Sequence, residues 1–260
     1  MDLQLSGRKA IVCASSQGLG LACAKALARE GVDVIINGRD PQTLEGTRAR
    51  LLEELPGASI RCAAADLLTE SGRETLVAAC PEPDILINNN AGPPPGRLED
   101  WDRAAWLQAL EANMIGPLML IRAVVPGMRT RRFGRVVNIT SAMVKSPRYA
   151  MTLSTAARTG LTAACKAISR EIAADNVTIN NLLPERIDTP RQMFMADRMM
   201  REQSITREQA RAQIAATIAA KRFGTPEEFG AACAFLCAAQ AAFISGQNLQ
   251  LDGGSYPGLI

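Results

Sequence analysis

Residues 8–31, RKAIVCASSQGLGLACAKALAREG, decide the fold. The apolar run 8–14 predicts a short buried strand, and the spacing of small and apolar residues in 21–30 predicts a helix that ends at Gly31. The turn SSQGLG lies between them. A strand, a glycine-containing turn and a helix in this order bind a dinucleotide, because backbone N–H groups and the helix N-terminus face its pyrophosphate. We therefore expect a nucleotide site at this turn.

The rest of the chain repeats the alternation of strand and helix. This pattern predicts an α/β fold, a doubly wound parallel sheet (Rossmann-like) with helices on both faces. We see no linker and no internal repeat, so we expect a single domain over residues 1–260. The further predicted strands cover residues 32–37, 59–67, 84–89, 134–140, 177–183 and 246–254.

Composition excludes several classes of function. The net charge is +3 without a basic block, and aromatic residues make up only 4% of the chain, so no nucleic-acid partner is expected. We find neither a signal-peptide pattern nor a run of about 18 apolar residues, so we expect a cytoplasmic protein without a membrane partner. The chain has no histidine, which excludes a Ser-His-Asp hydrolase.

The seven cysteines are scattered through apolar segments, which is typical of buried, reduced thiols. Cys233 and Cys237 are one helical turn apart, but no histidine can complete a metal site. We therefore expect no metal.

A second informative stretch is 141–161, SAMVKSPRYAMTLSTAARTGL. It has a hydroxyl at Ser141, a loop, and the start of a helix with an apolar face. Ser154 and Arg158 are four residues apart and share a neighbouring face of that helix. Two interpretations stay open at this point: the helix lines a site, or it is a scaffold helix with two polar residues at its edge.

The end of the second predicted strand indicates the cofactor. An acidic residue there favours the free ribose hydroxyl of NAD, whereas an arginine accommodates the 2′-phosphate of NADP. Here Gly38 is followed by Arg39, whose guanidinium pairs with phosphate. We favour NADP(H) over NAD(H), although the charge of Asp40 opposes a phosphate. The alternative is that Arg39 is a solvated turn residue.

Motifs in order along nearly the whole chain resemble the short-chain dehydrogenase/reductase family. They are the turn 13–20 (with Ala14 at a glycine position), Asp66, the segment 88–92, Asn113, the strand end 138–141, Pro184 and Thr189 (with Glu185 at a glycine position), and the segments 222–228 and 246–254.

The resemblance implies a set of site residues. Asn113 and Ser141 would be catalytic. In the segment 88–92, counting from Asp84 makes Asn89 the key asparagine, whereas matching the letters makes it Asn90. The cofactor would contact Ser15, Ser16, Gln17, Gly18, Leu19, Gly20, Arg39, Asp66, Leu67, Asn89, Asn90, Ala91, Gly92, Arg158, Pro184, Ile187 and Thr189.

The chain departs from the family at its proton donor. The positions of the family's Tyr-x-x-x-Lys pair are Ser154 and Arg158. A serine hydroxyl is a much weaker acid than a phenol with a pKa of ~10. Arg158 offers five donors for ribose hydroxyls but is not expected to relay a proton, because a guanidinium stays protonated. Tyr149 is the first alternative donor, ahead of Lys145 and Tyr256.

Together these features predict an NADP(H)-dependent oxidoreductase that interconverts a carbonyl and an alcohol, similar to a 3-oxoacyl reductase, with an atypical proton donor. One alternative is a cofactor-binding pseudoenzyme with a sensing or assembly role, and another is a lyase or isomerase that uses the same pocket. The resemblance also implies a small-molecule substrate, a homotetramer or homodimer, and a mobile substrate lid at about 190–220.

Overall fold

A computed structural model describes residues 2–259, and within them one sheet of seven parallel strands forms the centre of the molecule. The strand order is β3-β2-β1-β4-β5-β6-β7, which confirms the predicted doubly wound fold. The reversal of order beside β1 places the carboxyl ends of β1 and β4 at the crevice where such sheets bind ligands. The strands are β1 (Lys9–Val12), β2 (Asp33–Gly38), β3 (Ile60–Ala64), β4 (Ile85–Asn88), β5 (Gly134–Ile139), β6 (Val177–Pro184) and β7 (Asn248–Leu251).

Helices cover both faces of this sheet. Leu27 of α1 and Phe229 of α9 belong to one apolar core, whereas Leu76, Leu120 and Leu161 of α3, α5 and α6 belong to the other. The strands supply both cores because successive side chains point to opposite faces. The helices are α1 (Gly18–Arg29), α2 (Pro41–Glu54), α3 (Glu70–Ala79), α4 (Arg103–Leu110), α5 (Gly116–Thr130), α6 (Thr152–Ile172), α7 (Pro190–Gln203), α8 (Arg207–Ala216) and α9 (Pro226–Cys237).

Two predicted elements differ in detail. The long apolar helical pattern over about 100–128 predicts one helix, but the structure divides it into α4 and α5 by a π-helical turn at Glu111–Ile115. The last strand is shorter than the predicted segment 246–254, because Gly253 and Gly254 adopt positive φ angles after β7. The segment 190–220 forms two helices, α7 and α8, which pack around Ala196, Ala210 and Ile214.

The run Arg103–Thr130 is, among the described residues, the one helical stretch long and apolar enough to cross a membrane by length and composition. Core helices of soluble proteins pass the same test. Here Leu120, Val124 and Met128 are buried in the second core beneath the sheet. We therefore interpret the run Arg103–Thr130 as helices that pack in the core of the domain.

A ladder of asparagines crosses four neighbouring strands. Asn88, Asn138, Asn181 and Asn248 are paired in register on β4, β5, β6 and β7. Each side-chain amide donates to the next oxygen in the row, at 2.9, 2.9 and 2.8 Å. Because a register slip would break all three bonds, the ladder fixes the alignment of the strands that end at the candidate site.

We expect Asn138→Ala to lower the free energy of unfolding by about 2–4 kcal/mol, since it leaves buried partners on both sides without a hydrogen bond. Denaturant titration measures the change. Asn248→Ala is the matched control, because Asn248 ends the ladder at a partly exposed position where water replaces the bond. Equal losses in the two variants would contradict a role for the buried ladder.

Candidate active site

The glycine turn is held in a strained conformation by two asparagines. Ala14 has a φ of 44°, a left-handed conformation that favours glycine, and it occupies the position where the family has glycine. Its N–H donates to Asn37 Oδ1 at 3.0 Å, and its carbonyl accepts from Asn89 Nδ2 at 3.1 Å. A Cβ at Gly20 would collide with the same carbonyl, so the helix can start here only with glycine.

This contact places Asn89 at the turn, in agreement with the count from Asp84. Asn90 instead donates its amide to the Ala112 carbonyl at 3.3 Å. Ser15 also supports the turn, because its buried hydroxyl donates to Val12 and accepts from the Asn37 N–H. Its backbone N–H donates to the Asn37 carbonyl. Ser15 therefore stabilises the turn, and its contact with the cofactor stays a prediction.

The other turn residues lie where an anion can approach. Gln17 is exposed at the N-cap of α1, and Gly18, Leu19 and Gly20 form its first turn, whose N–H groups point out of the helix. Ser16 packs beside Gly38. Arg39 follows Gly38 in the chain and is exposed.

Asp40 stays ionised next to Arg39, so its charge still weighs against a phosphate, as the sequence suggested. Its carboxylate accepts the N–H of Thr43 and caps α2. Hydrogen bonding by Thr43 lowers the pKa of Asp40, so the charge is committed to the helix N-terminus.

A cleft of about 240 Å³ joins the glycine turn to the loop after β6. Gly18 and Thr189 both line it, so the structure brings these two predicted contacts together. Pro184 ends β6, whereas Ile187 is buried in the core and bridges to Gly224. Asp66 follows β3 and accepts the N–H of Leu68, and Leu67 packs in the second core.

Ser154 and Arg158 are buried where α6 meets the end of β5, at 5% and 8% exposure. The Nε of Arg158 donates to Ser154 Oγ at 3.2 Å, and its Nη1 donates to the carbonyls of Ile139 and Thr140 at 2.7 and 3.1 Å. Its Nη2 donates to the Asn90 carbonyl at 3.3 Å. Arg158 thus clamps the ends of β4 and β5 to α6, and four of its five donor hydrogens already have protein partners.

Burial, assisted by the charge of Arg191, lowers the pKa of Arg158 to about 10. Charged groups out of water lose the solvation that favours their ionised form. With this pKa Arg158 still carries its charge at neutral pH, as expected from the sequence. Gly92 faces the pair, since a Cβ there would lie 3.4 Å from Arg158 Nη2 and 3.5 Å from Ser154 Oγ.

Asn113 lies in the π-helical turn and is buried. Its amide makes long contacts of 3.5 and 3.4 Å with the carbonyls of Ala91 and Ala109, and its Oδ1 has no hydrogen-bond partner among residues 2–259. A buried oxygen without a partner is costly, and π-helical turns occur often at functional sites. Asn113 is thus placed beside the segment 90–92, to which Arg158 also donates through the Asn90 carbonyl.

Ser141 stands one residue beyond the Thr140 carbonyl that Arg158 holds. Its Oγ accepts the N–H of Met143 at 3.2 Å, so its hydroxyl hydrogen is available to a ligand. Tyr149 is different: its ring is 64% exposed, and its hydroxyl accepts the N–H of Leu98 at 3.2 Å. This position outside the buried pair does not support Tyr149 as the proton donor. Lys145 lies over the ring of Tyr256, 5.4 Å from its centroid.

Known proteins resemble this chain along its full length. The family described as enoyl-(acyl carrier protein) reductase matches residues 13–256. The NADPH-dependent reductase BacG of Bacillus subtilis is 31% identical over 96% of this chain and 98% of its own. Dehydrogenase/reductase SDR family member 4 of Bos taurus is 32% identical over 96% of this chain and 88% of its own. This chain belongs to the short-chain dehydrogenase/reductase family.

A solved structure gives the same result for the fold. L-Sorbose reductase from Gluconobacter frateurii, complexed with NADPH and L-sorbose, superposes with a TM-score of 0.94 at 26% identity over the whole of both chains. The present protein is therefore a short-chain dehydrogenase/reductase and an oxidoreductase.

Within the described residues no group of three or more histidine, cysteine, aspartate or glutamate side chains is arranged to hold a metal ion. All seven cysteines are free, and six are buried.

Sequence reasoning missed the basic residues after β6. Arg148 forms an ion pair with Glu185 at 2.6 Å, and Arg186 and Arg191 follow on the same loop and the start of α7. The signal was the segment 184–191, PERIDTPR, which carries two arginines and a glutamate at a glycine position of the family. Its meaning depends on which of these charges are paired, and only the structure shows that.

We expect Arg158→Met to lower the free energy of unfolding by about 2–4 kcal/mol, because three strand-end carbonyls lose their donor. Denaturant titration of the purified protein measures this. Arg170→Met is the control, since Arg170 is exposed on the same helix, and its effect should stay within about 0.5 kcal/mol. If both variants are equally stable, Arg158 is not the clamp described.

Proposed function

We propose that the protein is an NADP(H)-dependent reductase that interconverts a carbonyl and an alcohol, with Ser154 and Arg158 in place of the family's tyrosine and lysine. The observation that carries the proposal is the buried hydrogen bond between these two side chains, in which Arg158 also binds the carbonyl of Thr140, the residue before Ser141. NADPH is the cofactor named for BacG and bound in L-sorbose reductase. The enzyme uses NADP(H).

The residues of the turn fit this cofactor. Gly20 leaves room for a close approach, and the first N–H groups of α1 point toward an anion. Arg39 is exposed, and among residues 2–259 it has no ion-pair partner to compete with a 2′-phosphate. When bound, NADPH supplies the hydride. Asn89 contacts the turn, Thr189 lines the cleft beside it, and Gly92 faces Ser154 and Arg158, so we expect the cofactor to extend between these residues.

The proton is proposed to come through Ser154. Its oxygen accepts from Arg158, so its hydroxyl hydrogen is free to donate to the substrate oxygen while Ser141 donates a second hydrogen bond. As that oxygen becomes an alkoxide it takes the Ser154 proton, Ser154 takes one from Arg158, and solvent reprotonates Arg158. A guanidinium with a pKa near 10 can give this proton, since an alkoxide is a much stronger base.

The family match favours a second candidate, reduction of a C=C bond conjugated to a carbonyl. The matching family is described as enoyl-(acyl carrier protein) reductase. Hydride addition to the β-carbon leaves charge on an enolate oxygen, which Ser141 and Ser154 could hold by hydrogen bonds. Because the final proton goes to carbon, this reaction does not need a phenol at position 154.

Three further expectations belong to this proposal. The helices α7 and α8 form a lid that moves over the substrate. A cytoplasmic location accords with seven free cysteines. A homodimer or homotetramer accords with exposed apolar side chains on α9, after it and on β7, namely Phe235, Phe243 and Leu249.

The test is a titration of the purified protein with NADPH and NADH, followed by turnover of ketones, 3-oxoacyl thioesters and enones. We expect tighter binding of NADPH and its consumption by at least one class. Ser154→Ala should lower kcat about 10²-fold, as expected for loss of a positioned proton donor, with the NADPH dissociation constant unchanged. Tyr149→Phe is the control and should stay within about twofold of wild type.

The other outcomes separate the alternatives. If Tyr149→Phe abolishes turnover while cofactor binding persists, the donor is the loop tyrosine. NADPH binding without any turnover would indicate the pseudoenzyme. Substrate conversion without a change in cofactor absorbance would indicate a lyase or isomerase. If neither cofactor binds, the assignment of the glycine turn is wrong.

A further inference from the structure

Basic side chains are concentrated on the loops that follow β5 and β6. Lys145 and Arg148 lie on the first loop, Arg186 and Arg191 on the second loop and the start of α7, and Arg158 is buried where α6 meets β5. The two strands are neighbours in the sheet, so their carboxyl ends meet at one edge. This is the edge where Ser141 stands and where such sheets bind ligands.

The acidic residues of the second loop are already committed. Glu185 pairs with Arg148 at 2.6 Å, and this ion pair joins the two loops. Asp188 binds both terminal nitrogens of Arg211, at 3.0 and 2.7 Å. Each carboxylate is thus bound to an arginine, although the charge of Glu185 also acts on the neighbouring Arg186.

Within residues 2–259, the other four cations at this edge have no ion-pair partner; they are Lys145, Arg158, Arg186 and Arg191. The formal net charge of the whole chain is only +3. Four unpaired positive charges on these two loops and at Arg158 therefore exceed the net charge of the entire protein. Such a concentration attracts and selects anions.

Arg186 is the most unusual of these residues. It has a φ of 58°, a left-handed conformation that is costly for a residue with a side chain. Its guanidinium is partly buried and makes one long side-chain hydrogen bond, from Nη1 to Gln192 Oε1 at 3.4 Å. Burial lowers the pKa of Arg186; the nearby charge of Glu185 raises it and that of Arg148 lowers it again, so Glu185 compensates this cation only in part. A bound anion would provide the rest.

Arg191 occupies the same region from the start of α7. It is exposed, with its guanidinium 5.8 Å from the ring centroid of Phe194. It is close enough to Arg158 for its charge to lower the pKa of that buried group. Arg191 therefore stands at the start of α7, just after the loop that follows β6 and on the same edge of the sheet as Ser141.

We propose that the substrate carries an oxyanion, in the first instance a carboxylate, which Arg186 and Arg191 bind while the reacting carbonyl lies at Ser141 and Ser154. The planar fork of a guanidinium matches the two oxygens of such a group. This inference rests on the proposed reductase function and gives it a substrate class, small oxo acids. A phosphate-bearing thioester shares the same chemistry and is one arm of the test.

The experiment compares kcat/KM with NADPH for matched pairs: 2-oxo and 3-oxo acids against their methyl esters. If the arginines bind the carboxylate by charged hydrogen bonds, we expect the wild type to prefer the acid to its ester about 10- to 100-fold. Added salt should reduce this preference. Arg186→Gln and Arg191→Gln should each remove most of it, chiefly through KM. Arg186→Lys should restore part of it. Arg201→Gln removes the same charge from the exposed far end of α7 and should leave the preference unchanged.

Equal use of ester and acid by the wild type would overturn the proposal. So would variants that weaken NADPH binding and keep the acid preference, because the cations would then serve the cofactor's phosphates. Turnover of acetoacetyl-coenzyme A but not of acids, with the same arginine dependence, would support the oxyanion site and identify phosphate as its source. If no compound of either kind is reduced, the reductase function fails, and calorimetric binding of the oxo acids to wild type and Arg186→Gln still decides the anion site.

Discussion

The hydrogen bonds of Arg158 to the strand ends are the constraint on which the candidate site depends. The carbonyls of Ile139, Thr140 and Asn90 are the last acceptors of β5 and of the segment after β4, and one guanidinium binds all three. Buried carbonyls need donors, and a planar group with five N–H bonds supplies them from a single side chain. A lysine offers three rotating donors and could not hold this geometry as rigidly. The Nε of the same guanidinium donates a hydrogen bond to Ser154 Oγ and so orients that side chain.

The asparagine ladder supports this arrangement from inside the sheet. Asn138 lies three residues before Ser141, so its bonds to Asn88 and Asn181 fix the position at which β5 ends. A slip of one residue would turn every side chain of the strand to the opposite face. The ladder thus sets the register of the strands, and the hydrogen bonds of Arg158 hold the end of β5 and the segment after β4 against α6. Both devices are polar and buried, and both stabilise only because their members find partners.

Much of the fold could be predicted from the sequence, since the alternation of apolar runs and amphipathic helices determines a parallel sheet. The region of the site could be predicted as well, from Gly18 and Gly20 in the turn and from Ser141 at the end of a strand. The role of Arg158 could not be predicted. Its spacing of four residues from Ser154 does not show that its guanidinium binds carbonyl groups of β5 and of the segment after β4. Tyr149 stays a predicted alternative donor: its exposed ring lies outside the buried pair, and its hydroxyl accepts the N–H of Leu98. The charged residues after β6 could be interpreted only from the structure, which pairs Glu185 with Arg148 and Asp188 with Arg211.

The central claim is that the proton reaches the substrate through Ser154. The most direct measurement is the solvent deuterium isotope effect on the rate of NADPH oxidation in a single turnover, for wild type and for Ser154→Ala. Transfer from a serine and a guanidinium that exchange with solvent predicts a normal isotope effect in the wild type that disappears, together with most of the rate, in the variant. The same isotope effect in both proteins, at similar rates, would show that the proton takes another route and would contradict the account.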